Sequence, residues 1–432
     1  MLYFAPNQKS CPYPRQMTGA SLHQTARAFD ADCHTLNAAL ACHRTLYLES
    51  DQPMLYLPSE FPQEPDLCYL NHAAVGPWPR RTAQAVASFA QQNMTRGAED
   101  YPAWMQVEHR LRDRLARLIN AQDPNDIALV KNTSEGLSII SQGLDWLSGD
   151  EVIGLAGDFC SNQMPWEVLS GQGVNYVRVN ALQDKDPEGA LIAAMSDKTR
   201  LLAISTVHFA TGYRFDMQRL ADACRRKDVL LSVDAIQSLG AVAFDLAETP
   251  ADFVTSGGHK WLLSPEGLGF LYCRPELREQ ISLHQFGWAM RESPYAFESE
   301  SWIPAKSARR FESGTPNMTG IHAMEASLSL FEELGMEFVE SRLVENVSFL
   351  ETELGKLPEV EIVTPKDPEK RAGILTFRHA GSPTPTLHAQ LMKNRVICAA
   401  RAGGIRLAPH FYTPRPTLEL GLQKIRQIVQ TM

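Results

Sequence analysis

Between residues 151 and 273 short runs rich in Val, Ile and Leu recur at 151–156, 175–179, 200–207, 229–235, 252–256 and 268–273, with helical stretches such as 134–147 and 216–227 between several of them. Strand-length apolar runs separated by helices are what a covered parallel sheet requires, because each crossover must carry the chain back over the sheet. The pattern predicts an α/β domain with a mostly parallel sheet. Amphipathic periodicity places helices ahead of it at 80–96 and 104–119. A second block follows Pro316: a long helical pattern at 320–355, strand-like runs at 359–364, 373–378 and 404–408, and a terminal helix at 416–430, which together read as a smaller α+β domain. A chain of 432 residues exceeds one compact core. The expected division is an extension at 1–60, a large domain at 61–316 and a small C-terminal domain at 317–432.

The charge balance narrows the partners. A formal charge of -9 gives no basic field for phosphate backbones or anionic lipid, so neither nucleic acid nor membrane is an expected partner. No apolar run approaches the roughly 18 residues of a membrane span. The eight cysteines show no CxxC spacing and read as reduced thiols, which points to the cytoplasm. Residues 1–60 hold three of them, with scattered His and Pro and little periodicity. Cys33, His34, Cys42 and His43 match no common zinc spacing, so an irregular extension without a metal site is expected there, and Met54 is an alternative start. No GxGxxG or GxxxxGK[ST] loop supports a dinucleotide or nucleoside triphosphate.

The chemistry concentrates in VLLSVDAIQSLGA (229–241) and DFVTSGGHKWLLSPEGLGFLY (252–272). One buried strand ends in Asp234 and another in Gly257-Gly258-His259-Lys260. Ligands bind outside the carboxyl ends of parallel strands, so an acid and a lysine delivered there mark a candidate site. The lysine lies in mostly uncharged sequence, where desolvation and a nearby cation lower its pKa toward the free amine that imine formation needs.

Seven segments carry a resemblance in the family order: YLNHAAVGPWP (69–79), KNTSEG (131–136), DFCSNQMPW (158–166), VDAIQ (233–237), GHKW (258–261), RFESGTPN (310–317) and GIRLAPHFY (404–412). They resemble the class V aminotransferase group of fold-type I enzymes dependent on pyridoxal 5'-phosphate (PLP), which includes cysteine desulfurases, kynureninases and isopenicillin N epimerase-like proteins. The resemblance implies that Lys260 carries PLP as a Schiff base and moves the substrate α-proton; a structural lysine is the alternative. It implies that Asp234 pairs with the pyridine nitrogen, against a helix cap as the bland reading. Gln237 resembles the amide that bonds the ring oxygen, against a solvated helix position. Thr133 and Ser134 resemble phosphate ligands at a helix start, against an ordinary N-cap. His259 resembles the phosphate-side histidine. Desulfurase-like members often carry Ser three residues before the lysine; Gly257 stands there, and the nearest hydroxyl is Ser256, so the third phosphate ligand is open.

Phe159 takes the place of the ring that covers PLP, where desulfurases carry histidine; a core phenylalanine is the alternative. Thr315 resembles the residue that reaches the phosphate of the neighbouring subunit, which implies a homodimer with shared sites. Arg406, in an apolar strand, resembles the residue that grips the α-carboxylate of an amino-acid substrate, against an internal salt bridge. Arg401 and His72 are further substrate-side candidates for which a structural role stands equally open. The implied activity is amino transfer between an amino acid and a keto-acid acceptor. A carbon-sulfur or other β-lyase is the alternative, and a non-catalytic PLP-binding protein the third, although no basic face supports a DNA-contacting regulator. Cys398, the thiol nearest Arg406, lies in the apolar run VICAA and is expected to be buried and inert.

Overall fold

The computed structural model describes residues 57–299 and 302–432; the expectations about the extension, including Met54 and the Cys33–His43 region, lie outside them apart from residues 57–60. After a helical turn at Leu57–Glu60 come a short strand, β1 (Cys68–Tyr69), and two amphipathic helices, α1 (Arg80–Arg96) and α2 (Tyr101–Ile119). α2 is capped by Asp100, whose side chain accepts from the Ala103 N–H, and it ends in Asn120 in the left-handed region, φ 54°. Its apolar face buries Trp104, Leu111, Leu115 and Ile119. Burial of each such side chain contributes about 1.5–3 kcal/mol.

A seven-stranded sheet follows. Its strands are β2 (Ile127–Val130), β3 (Glu151–Leu155), β4 (Asn175–Val179), β5 (Thr199–Ser205), β6 (Leu230–Asp234), β7 (Phe253–Gly257) and β8 (Gly269–Cys273), in the spatial order β2-β8-β7-β6-β5-β3-β4. Pairing is parallel from β7 across to β4; β8 runs antiparallel to both β2 and β7. This is the mostly parallel α/β sheet that the alternating apolar runs require. Helices α3 (Thr133–Gly143) and α4 (Met217–Lys227) are among its crossovers, capped by Asn132 and Asp216. β2 escaped the reading because IALV is four residues long and follows a tight Pro-Asn-Asp turn.

The long helical pattern beyond Pro316 is two helices, α5 (Met318–Leu334) and α6 (Met336–Leu354), broken at Gly335, whose φ of 78° a β-carbon would strain. A four-stranded antiparallel sheet comes next, formed by β9 (Val360–Ile362) and β10 (Leu375–His379), then, after helix α7 (Thr384–Lys393) and the short strand β11 (Val396–Ile397), by β12 (Ala399–Arg401) and β13 (Gly404–Leu407). Helix α8 (Arg415–Thr431) closes the chain. β1 pairs in parallel with β11, so Cys68 and Leu70 join the core of the small sheet with Phe377, Leu391 and Leu422. Trp261 and Ala73 meet Ile374 and Ala408 in a core shared by the loops of both sheets. Lys260 and the β13 strand are thereby held against each other by packed side chains. No helix among the described residues is long and apolar enough to cross a membrane.

Candidate active site

The C-terminal edge of the parallel strands collects the chemistry, since β3 leads into Asp158 and Phe159, β6 ends in Asp234 and β7 runs into Lys260. The turn that carries Lys260 is clamped. Gly258 N–H donates to the Leu268 carbonyl (2.9 Å), Ser264 N–H to Gly258 (3.0 Å) and Leu263 N–H to Lys260 (3.2 Å). Leu263 sits at φ 56°, a conformation a branched residue adopts only where its surroundings impose it, and the Ser327 hydroxyl fixes its carbonyl (2.9 Å). The Gly76 N–H binds the His259 carbonyl (2.8 Å), and a β-carbon at Gly76 would run into the Lys260 carbonyl. That close approach accounts for the glycine in AAVGPWP.

Lys260 is 8% exposed. Burial pushes its pKa down to about 8; Asp234 opposes that fall, while Arg406 and Arg401 deepen it. Its Nζ lies 5.4 Å from the centre of the Phe159 ring. Asp234 is buried and accepts a hydrogen bond from the Ile236 N–H at 3.0 Å; among the described residues no cation lies within ion-pair distance of it. Burial raises its carboxyl to about 7. A buried carboxylate so poorly answered is matched to a cationic ring nitrogen.

At the start of α3 the Thr133 hydroxyl is buried without a partner, although Asn132 caps the helix by accepting from the Glu135 N–H (2.9 Å). An orphaned hydroxyl at a helix N-terminus fits an anion. Ser134 Oγ lies 2.8 Å from Ser161 Oγ. Ser256 has its hydroxyl on the Gly257 carbonyl (3.3 Å) and, by strand alternation, faces away from Thr255, which packs on Gly136 of α3. His259 is partly buried, and its imidazole pKa is lowered by desolvation and then by Lys260.

Arg406 comes from β13 and is 2% exposed. Its guanidinium donates to the Phe209 carbonyl (2.6 Å) and, at 3.5 Å, to Asn71 Oδ1, while Nε has no partner. The buried Arg112, Arg278 and Arg371 each pair with carboxylates; among the described residues Arg406 has none within ion-pair distance. Burial, then the charge of Arg401, push its pKa down to about 10. Arg401 itself is exposed and donates to the Ala400 carbonyl.

Two of the candidates have their polar atoms engaged within the protein. His72 is 0% exposed, with Nδ1 on the Ala408 carbonyl (2.8 Å) and Nε2 on the Tyr412 hydroxyl (2.7 Å), so neither ring nitrogen is left for a substrate; burial holds its pKa near 4. Gln237 is buried rather than solvated, its amide bridging the Ala73 carbonyl (3.1 Å) and Trp261 Nε1 (2.8 Å), with one Nε2 proton to spare. Thr315 is exposed.

The sequence pattern of Aminotransferase class-V matches residues 68–411, well over half of the chain. The chain belongs to the class V aminotransferase family. It is 29% identical to "Uncharacterized aminotransferase YcbU" of Bacillus subtilis over 73% of this chain and 82% of that protein. It is 29% identical to a "Probable cysteine desulfurase" of Methanothermobacter thermautotrophicus over 72% and 78%, and 27% identical to "Isopenicillin N epimerase" of Streptomyces clavuligerus over 82% and 93%. The solved structure of a complex between the cystine C-S lyase C-DES and cysteine persulfide has the same fold, with a TM-score of 0.79 at 24% identity over 85% of this chain and 99% of that one. This class V member therefore has the fold-type I architecture, and the cofactor of its family is PLP. The Thr133 hydroxyl and Asp234 carboxylate, both without a counterpart among the described residues, and the depressed Lys260 amine fit that group.

Sequence reasoning missed three residues of this edge. Asn71 and the Phe209 carbonyl both hold Arg406, and Asp158 anchors the Phe159 turn. Asp158 accepts from the Phe159 N–H (2.7 Å), the Ser205 hydroxyl (2.9 Å) and Asn162 Nδ2 (3.0 Å). Asn71 and Asp158 lie inside two of the matched segments, which is the signal that could have found them. The negative charge of Asp158 also pushes Asp234 upward. Asp158→Asn keeps an acceptor for Phe159 but removes that charge, so the acid limb of the kcat profile is expected to move to lower pH; an unmoved limb would show that the two carboxyls do not communicate.

A pH dependence follows from Lys260. Only the free amine captures an aldehyde, and a pKa of about 8 means that the amine fraction grows as pH rises to that value and then saturates. Capture of PLP by the cofactor-free enzyme is therefore expected to accelerate up to about pH 8 and level off. A rate still climbing tenfold per unit beyond pH 9 would show an ordinary, solvated lysine.

Proposed function

We propose that this PLP-dependent enzyme is an aminotransferase acting on an α-amino acid, with a keto acid as acceptor. The observation that carries the substrate assignment is Arg406: a buried guanidinium near Lys260 that has carbonyl oxygens for partners but no carboxylate among the described residues. A charge left in that state is answered by an anion from outside, and its planar fork takes an α-carboxylate bidentately.

PLP bound here supplies an electron sink for charge developing at the substrate α-carbon. Arg406 holds the carboxylate and so orients the α-hydrogen toward Lys260. The Lys260 amine takes that proton from the α-carbon and returns it, its depressed pKa keeping a usable base fraction near neutrality. Asp234 keeps the ring nitrogen protonated. Thr133, Ser134, the α3 N-terminal amides and His259 hold the phosphate, and Gln237 offers its remaining amide proton to the ring oxygen. Phe159 covers the ring face and excludes water, without exchanging protons. The reading includes a cytoplasmic homodimer in which Thr315 reaches the partner's phosphate; the exposure of Thr315 and of Phe286 and Trp302 supports it. The organisation that goes with it is a large unit at 61–316 and a small one at 317–432 that contributes Arg406.

A β-lyase is the second reading, favoured by the desulfurases among the relatives and by the lyase that shares the fold. Persulfide formation is disfavoured by Cys398, which is 3% exposed and whose thiol burial pushes up to about 12. The test is incubation of the holoenzyme with single amino acids and no acceptor. A transaminase forms one keto acid per active site, stops, and resumes when a keto acid is added. Continuous release of ammonia and pyruvate, or a persulfide on Cys398 with cysteine as substrate, would contradict the proposal.

A further inference from the structure

The small sheet carries on one face two arginines that have no carboxylate partner among the described residues. In the antiparallel pair of β12 and β13, Ala399 lies opposite Arg406 and Arg401 opposite Gly404. Directly opposed residues share a face, and so do residues two apart on a strand, which makes Arg401 and Arg406 diagonal neighbours on the same side, with backbones about 7–8 Å apart. The other side is core, since Ile405 and Leu407 pack with Phe377. The arginine side faces the large sheet: Thr376, opposite Arg406 on β10, donates to the Ala210 carbonyl (2.6 Å), and Arg406 to that of Phe209.

Arg378 projects from this face too, but it is answered, by Glu361 at 3.5 Å and the Ala402 carbonyl at 2.8 Å. Among the described residues Arg401 has only the carbonyl of its own neighbour, Ala400. Its positive charge lowers the pKa of both Arg406 and Lys260. A substrate with a single carboxylate satisfies Arg406 and leaves the exposed Arg401 without a counter-ion among the described residues.

We infer that the substrate carries a second acidic group, taken by Arg401 while the α-carboxylate lies on Arg406, so that the enzyme is built for dicarboxylic amino acids or dicarboxylic keto acids. The inference rests on Arg406 as the α-carboxylate site. Amides and cationic side chains of the same length are discriminated against, because they leave Arg401 unanswered or repel it.

The test uses unreactive probes with the holoenzyme: succinate, glutarate and adipate against propionate and butyrate, each titrated through the absorbance of the bound cofactor. The best diacid is expected to bind at least about tenfold more tightly than the monoacids. In Arg401→Gln that difference should collapse to about twofold or less. No preference in the unaltered enzyme, or an equal weakening of monoacids and diacids in Arg401→Gln, would overturn the inference and leave Arg401 as a general field effect. Arg406→Gln separates the two levels. Loss of monoacid and diacid binding there upholds the α-carboxylate site, whereas unchanged monoacid binding removes it and the present inference with it.

Discussion

Lys260→Ala is expected to fold and to lose turnover by at least about four orders of magnitude, because the substitution removes both the covalent anchor for PLP and the base that moves the α-proton. Lys260→Arg should fail almost as completely. Its guanidinium keeps bulk and charge but stays protonated, so it can neither form an imine nor accept a proton. A lysine needed only for packing or charge would be rescued by arginine. Kcat in both variants, with circular dichroism as a control for folding, decides between the two roles.

The second large effect concerns Arg406. Arg406→Ala is expected to weaken binding of α-amino acids by about 2–5 kcal/mol, roughly 30-fold to several-thousand-fold, and to leave binding of the corresponding amines nearly untouched. The stability of the empty protein should behave in the opposite sense. Breaking an internal ion pair leaves a buried charge behind and lowers Tm, whereas Arg406 has no carboxylate partner to abandon, so its removal relieves a desolvated charge. In Arg406→Met, which removes the charge while keeping most of the volume, Tm of the cofactor-free protein is therefore expected to hold or rise. Equal losses for amino acids and amines, or a fall of several degrees in Tm, would place Arg406 in the scaffold and not in the substrate pocket.

How much of this was legible in the chain depends on the range of each interaction. Elements set by local periodicity were readable: 80–96 is α1 to the residue, and the strands that end in Asp234 and Gly257 lie where their Val- and Leu-rich runs are. Elements stabilised by distant partners were not. β11 is two residues long and exists because β1, more than three hundred residues earlier, pairs with it. α7 lay unread between the small-sheet strands because its apolar stripe, Leu387 and Leu391, is narrow. The site divides in the same way. Lys260 and Asp234 were visible because each ends an apolar strand, and Arg406 because an arginine is foreign to such a strand. The hold on Arg406 was invisible, since it runs through a backbone carbonyl at Phe209 and through Asn71, and a carbonyl has no sequence signature. His72 shows the reverse case, a residue whose chemistry invites a functional role but whose two nitrogens are consumed by Ala408 and Tyr412.

The central claim is that Lys260, and no other lysine, carries the cofactor. Borohydride reduction of the holoenzyme followed by proteolysis and mass spectrometry of the labelled peptide tests it most directly. The account requires the phosphopyridoxyl mass on the peptide spanning GHKW, at Lys260, in about one equivalent per chain. Label on any other lysine, or a holoenzyme from which the cofactor washes away after reduction, would contradict it.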